Sequence, residues 1–245
     1  MIETIPWLFL LCLFIISFLY ASVGHGGASG YLALMALFSI SPASMKSSAL
    51  ILNVFVSLVA FYEYYKAGYF KWNLFIPFAL TSVPASFIGA TITIDPVVYK
   101  RILGIILIFP ILRLLGVFGS KTQPTQPVNR NWALVIGAVI GFLSGIIGIG
   151  GGIILSPVII LMNWGEMKET AAVSSLFILV NSIAGIIGLV SKGIVIDNAV
   201  YVWLIVTLIG GFMGAYAGSK KFTNPVLNKI LALVLLIASI KLFKV

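Results

Sequence analysis

Two stretches of this chain hold residues whose chemistry would be that of their backbone. "YASVGHGGASGYL" (Tyr20–Leu32) contains Gly24, His25, Gly26 and Gly27, and "GIIGIGGGIILSP" (Gly145–Pro157) contains Gly148, Gly150, Gly151 and Gly152. Glycine inside a helix costs about 1 kcal/mol relative to alanine, so a cluster predicts a break. A helix that restarts after such a break leaves about four N–H groups without intrahelical partners. Together with the positive end of the helix dipole, those donors make an anion site that needs neither lysine nor arginine. Lacking a Cβ, glycine also lets a ligand come close to the main chain. The competing reading is close helix packing through small residues. Packing is the reading for the pairs Gly141/Gly145 and Gly210/Gly214. For the two clusters the anion site is favoured, because each precedes a half-length apolar segment and the pattern occurs twice.

Polar side chains recur where apolar ones are expected. "MKSSALILNVFVS" offers Ser47, Ser48, Asn53 and Ser57, and "AAVSSLFILVNS" offers Ser174, Ser175, Asn181 and Ser182. Ser174 and Asn181 are two helical turns apart on one face, as are Lys46 and Asn53. These donors are expected to line a cavity opposite the broken helices, with hydrogen bonding between helices as the alternative. Asn53 and Asn181 lead the set, since an amide in lipid is costly without a partner. His25, the sole histidine, could carry a proton or contact the anion; a structural bond to a nearby carbonyl is the simpler role. Glu63 is expected to pair with Lys66 at the interface. Asp95, Asp197, Glu166 and Glu169 read as loop residues. Trp7, Trp72, Trp132 and Trp203 fall near segment starts, as interfacial aromatics do. One His, one Cys and six carboxylates spread along the chain form no nucleophile–base set and no metal-ligand cluster. The expectation is no catalytic residue, no metal and no cofactor.

The elements that must position these residues are membrane helices. Of 245 residues, 61% are hydrophobic and 9% charged, and the mean hydropathy is +1.17. A soluble domain could not cover that much apolar surface. Apolar runs are expected at 5–23, 28–40, 45–65, 72–94 and 98–117, then at 132–147, 152–163, 168–190, 198–218 and 223–243. The polar stretch "GSKTQPTQPVNRN" (Gly119–Asn131) separates a first membrane repeat, 1–118, from a second, 132–245. The net charge of +9 comes from cations between apolar runs, which set topology and exclude a nucleic-acid partner. Cys12 sits alone in an apolar run, and "MIETIPW" has no basic residue for a signal-peptide n-region.

The two halves repeat one another. Placing Gly24 on Gly148 aligns Phe18-Leu19 with Phe142-Leu143 and Gly26-Gly27 with Gly150-Gly151. One residue of slippage later, "FIGA" (Phe87–Ala90) falls on "FMGA" (Phe212–Ala215), and "PVVYKRIL" (Pro96–Leu103) later falls on "PVLNKILA" (Pro225–Ala232). An odd number of crossings per unit, whether the short segments span or re-enter, puts the second copy upside down. The fold class is therefore an all-α polytopic membrane protein of two inverted five-segment repeats with Gly-broken short helices, discontinuous or re-entrant, and about 8–10 transmembrane segments. Nine Lys and Arg then lie on one face and six, Lys46 among them, on the other; the richer face is read as cytoplasmic and both termini as outside.

Inverted repeats with helices broken near mid-membrane are the architecture of secondary transporters. The chain resembles the sulfite exporter TauE/SafE family of membrane permeases, through "GIIGIGGGIILSPVIIL" followed by "ETAAVSSLFILVNSIAG" and through "ASVGHGGASGYLALM" with "KSSALILNVFVS". The resemblance covers essentially the whole chain. It implies transport of a small sulfur-containing anion, such as sulfite or an organosulfonate, in a bacterial or archaeal cell membrane. It also implies a role for Gly148–Gly152 with Ser174–Ser175 and for their first-half counterparts, where His25 and Ala28 depart from the glycine pattern. The expected partners are a small anionic substrate and the lipid bilayer. A proton or a sodium ion could couple the transport, and the residues do not choose between them. Oligomeric state is not encoded in any feature read here. A passive anion channel and a structural subunit of a membrane complex are the alternative functions.

Overall fold

The computed structural model describes residues 7–117, 125–193, 198–220 and 225–243, and among these it is helical, with no strand. The first half contains α1 (Trp7–Ala21), α2 (Ala28–Leu37), α3 (Pro42–Lys66), α4 (Trp72–Thr91), α5 (Pro96–Ile106) and α6 (Ile108–Leu114). The second contains α7 (Arg130–Ile147), α8 (Gly152–Leu161), α9 (Met167–Val190), α10 (Ala199–Lys220) and α11 (Pro225–Phe243). Each expected apolar run has its helix, within a few residues. The exception is 98–117, which is divided into α5 and α6. Pro110 explains the division: it has no N–H for the carbonyl of Ile106, the last residue of α5, and its ring crowds that carbonyl.

Polar residues at the helix starts fix the boundaries. Ser41 caps α3 ahead of Pro42. Asp95 accepts from Val97 N at 2.8 Å and from Val98 N at 3.3 Å at the head of α5. Asn129 caps α7, which begins two residues earlier than expected. Glu166 and Glu169 form a capping box on α9, and Glu169 is also ion-paired with Lys71, at the head of α4. The acidic residues read as loop residues thus serve helix ends; Asp197 lies outside the described residues. Glu63 does not pair with Lys66, whose ammonium lies 5.8 Å from the centre of the Tyr62 ring instead.

Five helices, α3, α4, α7, α9 and α10, are long and apolar enough to cross a bilayer. Their outward faces carry exposed apolar side chains such as Leu80, Ile88, Val135, Val139, Ile205 and Ile209, which lipid tolerates and water would not. α3 and α9 are the most enclosed and pack against each other at the centre. Exchanging the two halves carries the α1–α10 contact onto α7–α4, α3–α10 onto α9–α4, and α2–α3 onto α8–α9; all six contacts are present. Even the turns correspond. Ser39 after α2 and Asn163 after α8 are the two non-glycine residues with positive φ among those described, at 59° and 54°.

Backbone proximity at two crossings follows from small residues. Gly137, Gly141 and Gly145 of α7 lie directly on the main chain of α4, at Phe78, Ser82 and Ser86. Gly210, Gly214 and Gly218 of α10 lie on the main chain of α1 in the same way, at Phe14, Phe18 and Ser22. The packing reading of Gly141/Gly145 and Gly210/Gly214 holds. Two residues are more enclosed than expected. Trp203, near the start of α10, is 5% exposed, with its ring centre 5.1 Å from that of Phe9, whereas Trp7, Trp72 and Trp132 are exposed. Lys46, counted with the loop cations, is buried in α3.

Candidate functional site

Both glycine clusters interrupt the helical path at the points where the sequence places them. After α1, residues 22–27 form turn and irregular backbone before α2; after α7, residues 148–151 do the same before α8. The residues before each restart, Gly27 and Gly151, have φ of 94° and 78°. A residue with a Cβ enters that left-handed region at a cost of about 1–2 kcal/mol. α2 and α8 each have 10 residues, about 15 Å of rise, half of the roughly 30 Å hydrocarbon core. Both clusters are buried throughout.

The clusters meet at one residue of α3. Asn53 Oδ1 accepts from Ala28 N, the first N–H of α2, at 3.0 Å. Its Nδ2 donates to the carbonyl of Ile149, inside the second cluster, at 3.3 Å, and lies 3.4 Å from Ser182 Oγ. A Cβ on Gly150 would fall 2.7 Å from Asn53 Nδ2 and 2.8 Å from Ile178. A Cβ on Gly26 would likewise strike Asn53 and Ile178. Asn53 of α3 and Ile178 of α9 therefore lie together between the two clusters, both of which pack around them. The pairing extends outwards: Gly24 packs on Ala171, and Gly148 packs on Lys46.

The protein supplies acceptors for only some of the donors at these breaks. At α8, Ile154 N and Leu155 N both bond Gly151 O at 3.1 Å. The N–H groups of Gly150, Gly151, Gly152 and Ile153 make no hydrogen bond among the described residues. At α2, Ala28 N is taken by Asn53 and Tyr31 N by Gly27 O, while Ser29 N and Gly30 N have no such acceptor. Ser144 Oγ, fully buried on α7 beside Gly151, is also without a partner among the described residues. Buried N–H and hydroxyl groups are nearly always satisfied, so this concentration of donors marks the place as unusual.

A second polar link joins the halves. His25 Nδ1 lies 2.9 Å from Val23 O, its Nε2 lies 3.0 Å from Ser156 Oγ, and Ser156 Oγ lies 2.7 Å from Ser174 Oγ. A carbonyl can only accept, so Nδ1 carries a proton; the single hydroxyl proton of Ser156 is directed at Gly152 O, and the direction of the His25 Nε2–Ser156 bond depends on the protonation of the ring. The Ser156 hydroxyl also lies 2.9 Å from Gly152 O, at the head of its own helix. His25 thus has both the carbonyl contact expected of it and a bond across the repeat boundary. Ser156 was not among the residues singled out from sequence, although a serine before Pro157 in a ten-residue apolar helix was a visible signal.

The remaining candidates lie apart from this centre. Ser47 Oγ bonds Ala43 O and Ser175 Oγ bonds Ala172 O, each on its own helix. Ser48 Oγ is buried with no partner among the described residues. Asn181 donates to Phe177 O at 2.8 Å within α9, and its Oδ1 has no partner. Unlike Asn53, it does not reach either glycine cluster; the α9 residue against Gly26 and Gly150 is Ile178. Among the described residues no cluster of three His, Cys, Asp or Glu could hold a metal.

The profile of the sulfite exporter TauE/SafE family matches residues 9–242. A probable membrane transporter protein of Sinorhizobium fredii is 38% identical over 235 residues, covering 94% of each chain. A protein of the same description in Bacillus subtilis is 28% identical over 225 residues, covering 89% of this chain and 90% of that one. Another, from Methanocaldococcus jannaschii, is 25% identical over 163 residues, 62% of this chain and 59% of its own length. No solved structure matches this chain at a significant level.

Proposed function

Because the chain belongs to the sulfite exporter TauE/SafE family of integral membrane transporters, we propose that it is a secondary transporter of a small sulfur-bearing oxyanion, sulfite or an organosulfonate. The anion is held by the backbone donors at the heads of α2 and α8. The observation that carries this reading is the meeting of two buried, glycine-broken helix starts around Asn53, with N–H groups that have no acceptor among the described residues. Helix heads of this kind favour negative charge without a fixed cation.

Asn53 and Ile178 fill the space between the clusters, so the conformation described is closed at this point. Substrate entry then requires the halves to separate around α3 and α9. In that motion the bonds of Asn53 to the two clusters and of Ser156 to His25 break and reform. Inverted repeats make the two separations equivalent, one opening to each side, which is alternating access. A proton or sodium gradient supplies the driving force.

The test is flux into liposomes that contain the purified chain. Saturable uptake of sulfite or a short sulfonate, with counterflow against unlabelled anion, is the expected result. A unitary conductance without counterflow would make the protein a channel instead. A protein that binds none of these anions yet co-purifies with a stoichiometric partner would be a structural subunit. Imposing proton and sodium gradients separately identifies the coupling ion.

A further inference from the structure

Lys46 is the charged residue that the site just described does not use. It lies in α3, a membrane-spanning helix, and is 8% exposed. Its ammonium donates to the carbonyl of Ala90, near the end of α4, at 3.3 Å. An ammonium has three donors, and among the described residues the other two have no partner. No carboxylate ion-pairs with it there either, since the ion pair among those residues is Lys71–Glu169. A lone buried cation in a membrane helix is expensive, and such residues mark substrate or ion pathways.

Its position relates it to the anion site. The Lys46 side chain packs on Gly148, the first glycine of the second cluster: a Cβ there would fall 3.0 Å from Lys46 Cγ and 3.1 Å from Lys46 O. Asn53, which holds the Ile149 carbonyl in the same cluster, is two turns further along the same face of α3. The counterpart of Lys46 across the pseudo-two-fold axis is Ala171, packed on Gly24. The positive charge is therefore present at one cluster only.

We propose that Lys46 is the charge partner of the transported oxyanion at the second glycine cluster, where its two spare donors meet the anion beside Gly148. The inference rests on the transport reading above and adds to it a substrate-binding residue and a preference between the clusters. Lys46 selects for a charged oxyanion over a neutral molecule of the same shape.

The experiment compares wild type with K46Q and K46R, reconstituted as full chains, in methanesulfonate binding and flux. Glutamine can still donate to Ala90 O but has no charge. K46Q is expected to weaken methanesulfonate affinity by about tenfold to a hundredfold, the usual worth of a hydrogen bond to a charged group, while K46R largely restores it. A folded K46Q with unchanged affinity and KM overturns the proposal and leaves Lys46 as a cap on α4. Should K46Q fail to fold, K46M, which keeps the stem that packs on Gly148 and drops the charge, takes its place. Methanesulfonate affinity equal to wild type in folded K46M overturns the proposal; a loss of at least about tenfold, recovered in K46R, supports it. Wild-type protein that binds no oxyanion at all refutes the transport reading itself, a result distinct from an indifferent K46Q.

Discussion

Replacing Asn53 with leucine removes the contact that holds the two glycine breaks together while keeping its branching and its number of side-chain heavy atoms. The Asn53→Leu side chain can neither accept from Ala28 N at 3.0 Å nor donate to Ile149 O at 3.3 Å. Each orphaned buried group costs about 1–3 kcal/mol, so the two together predict a loss of about 2–6 kcal/mol. The nearby Ser182 hydroxyl, 3.4 Å from Asn53 Nδ2, can recover part of this by bonding elsewhere, which puts the expectation near about 3 kcal/mol. Asn53→Asp separates the two bonds, because it keeps the acceptor for Ala28 N and loses the donor to the second half. Equilibrium unfolding in detergent measures the stability change, and liposome flux measures the function. N53L is expected to lose both, and N53D to retain more stability than flux. If N53L stays within about 0.5 kcal/mol of wild type, the range of an ordinary surface substitution, the reasoning about this junction is wrong.

Gly150→Ala should abolish flux and leave membrane insertion intact. The added Cβ meets Asn53 Nδ2 at 2.7 Å and the residue has φ of 72°; sulfite uptake equal to wild type would count against a backbone site. Ser156→Ala should remove the bond across the halves to His25 and to Ser174, costing about 1–3 kcal/mol in unfolding experiments, with a cost under about 0.5 kcal/mol as the contrary result. Gly145→Leu should prevent α7 from seating on Ser86 of α4 and lower the yield of folded protein more than any glycine change at Gly68 or Gly193, where a Cβ meets nothing within 4 Å. In single-tryptophan variants, brominated lipid should quench Trp7, Trp72 and Trp132 strongly and Trp203 weakly, since Trp203 is 5% exposed.

Local signals were enough for much of the architecture. Apolar runs between polar caps located the helices, and the Gly24–Gly27 and Gly148–Gly152 clusters located both breaks, because glycine acts through its own backbone wherever the chain goes. The division at Pro110 was equally local and was overlooked. Lys46 and Trp203 were misplaced for a different reason. Their burial depends on Ala90, Gly148 and Phe9, which are distant in sequence, and nothing adjacent to either residue announces it. The same limit applies to the site. Asn53 was singled out as a polar residue needing a partner, and the fold supplies that partner from both glycine clusters, with Ile178 of α9 beside it. Ser156 becomes visible once His25 of the other half is seen to reach it.

The Asn53–Ile178 pair has a consequence for the resting condition of a carrier built from two copies of one unit. If the two copies were identical throughout, opening towards either compartment would strain the same bonds, and the two orientations would be equally populated at zero gradient. Asparagine grips a main-chain group from each copy, whereas isoleucine grips none. Under the alternating-access reading proposed above, the two openings therefore differ in free energy, and the unloaded protein favours one of them.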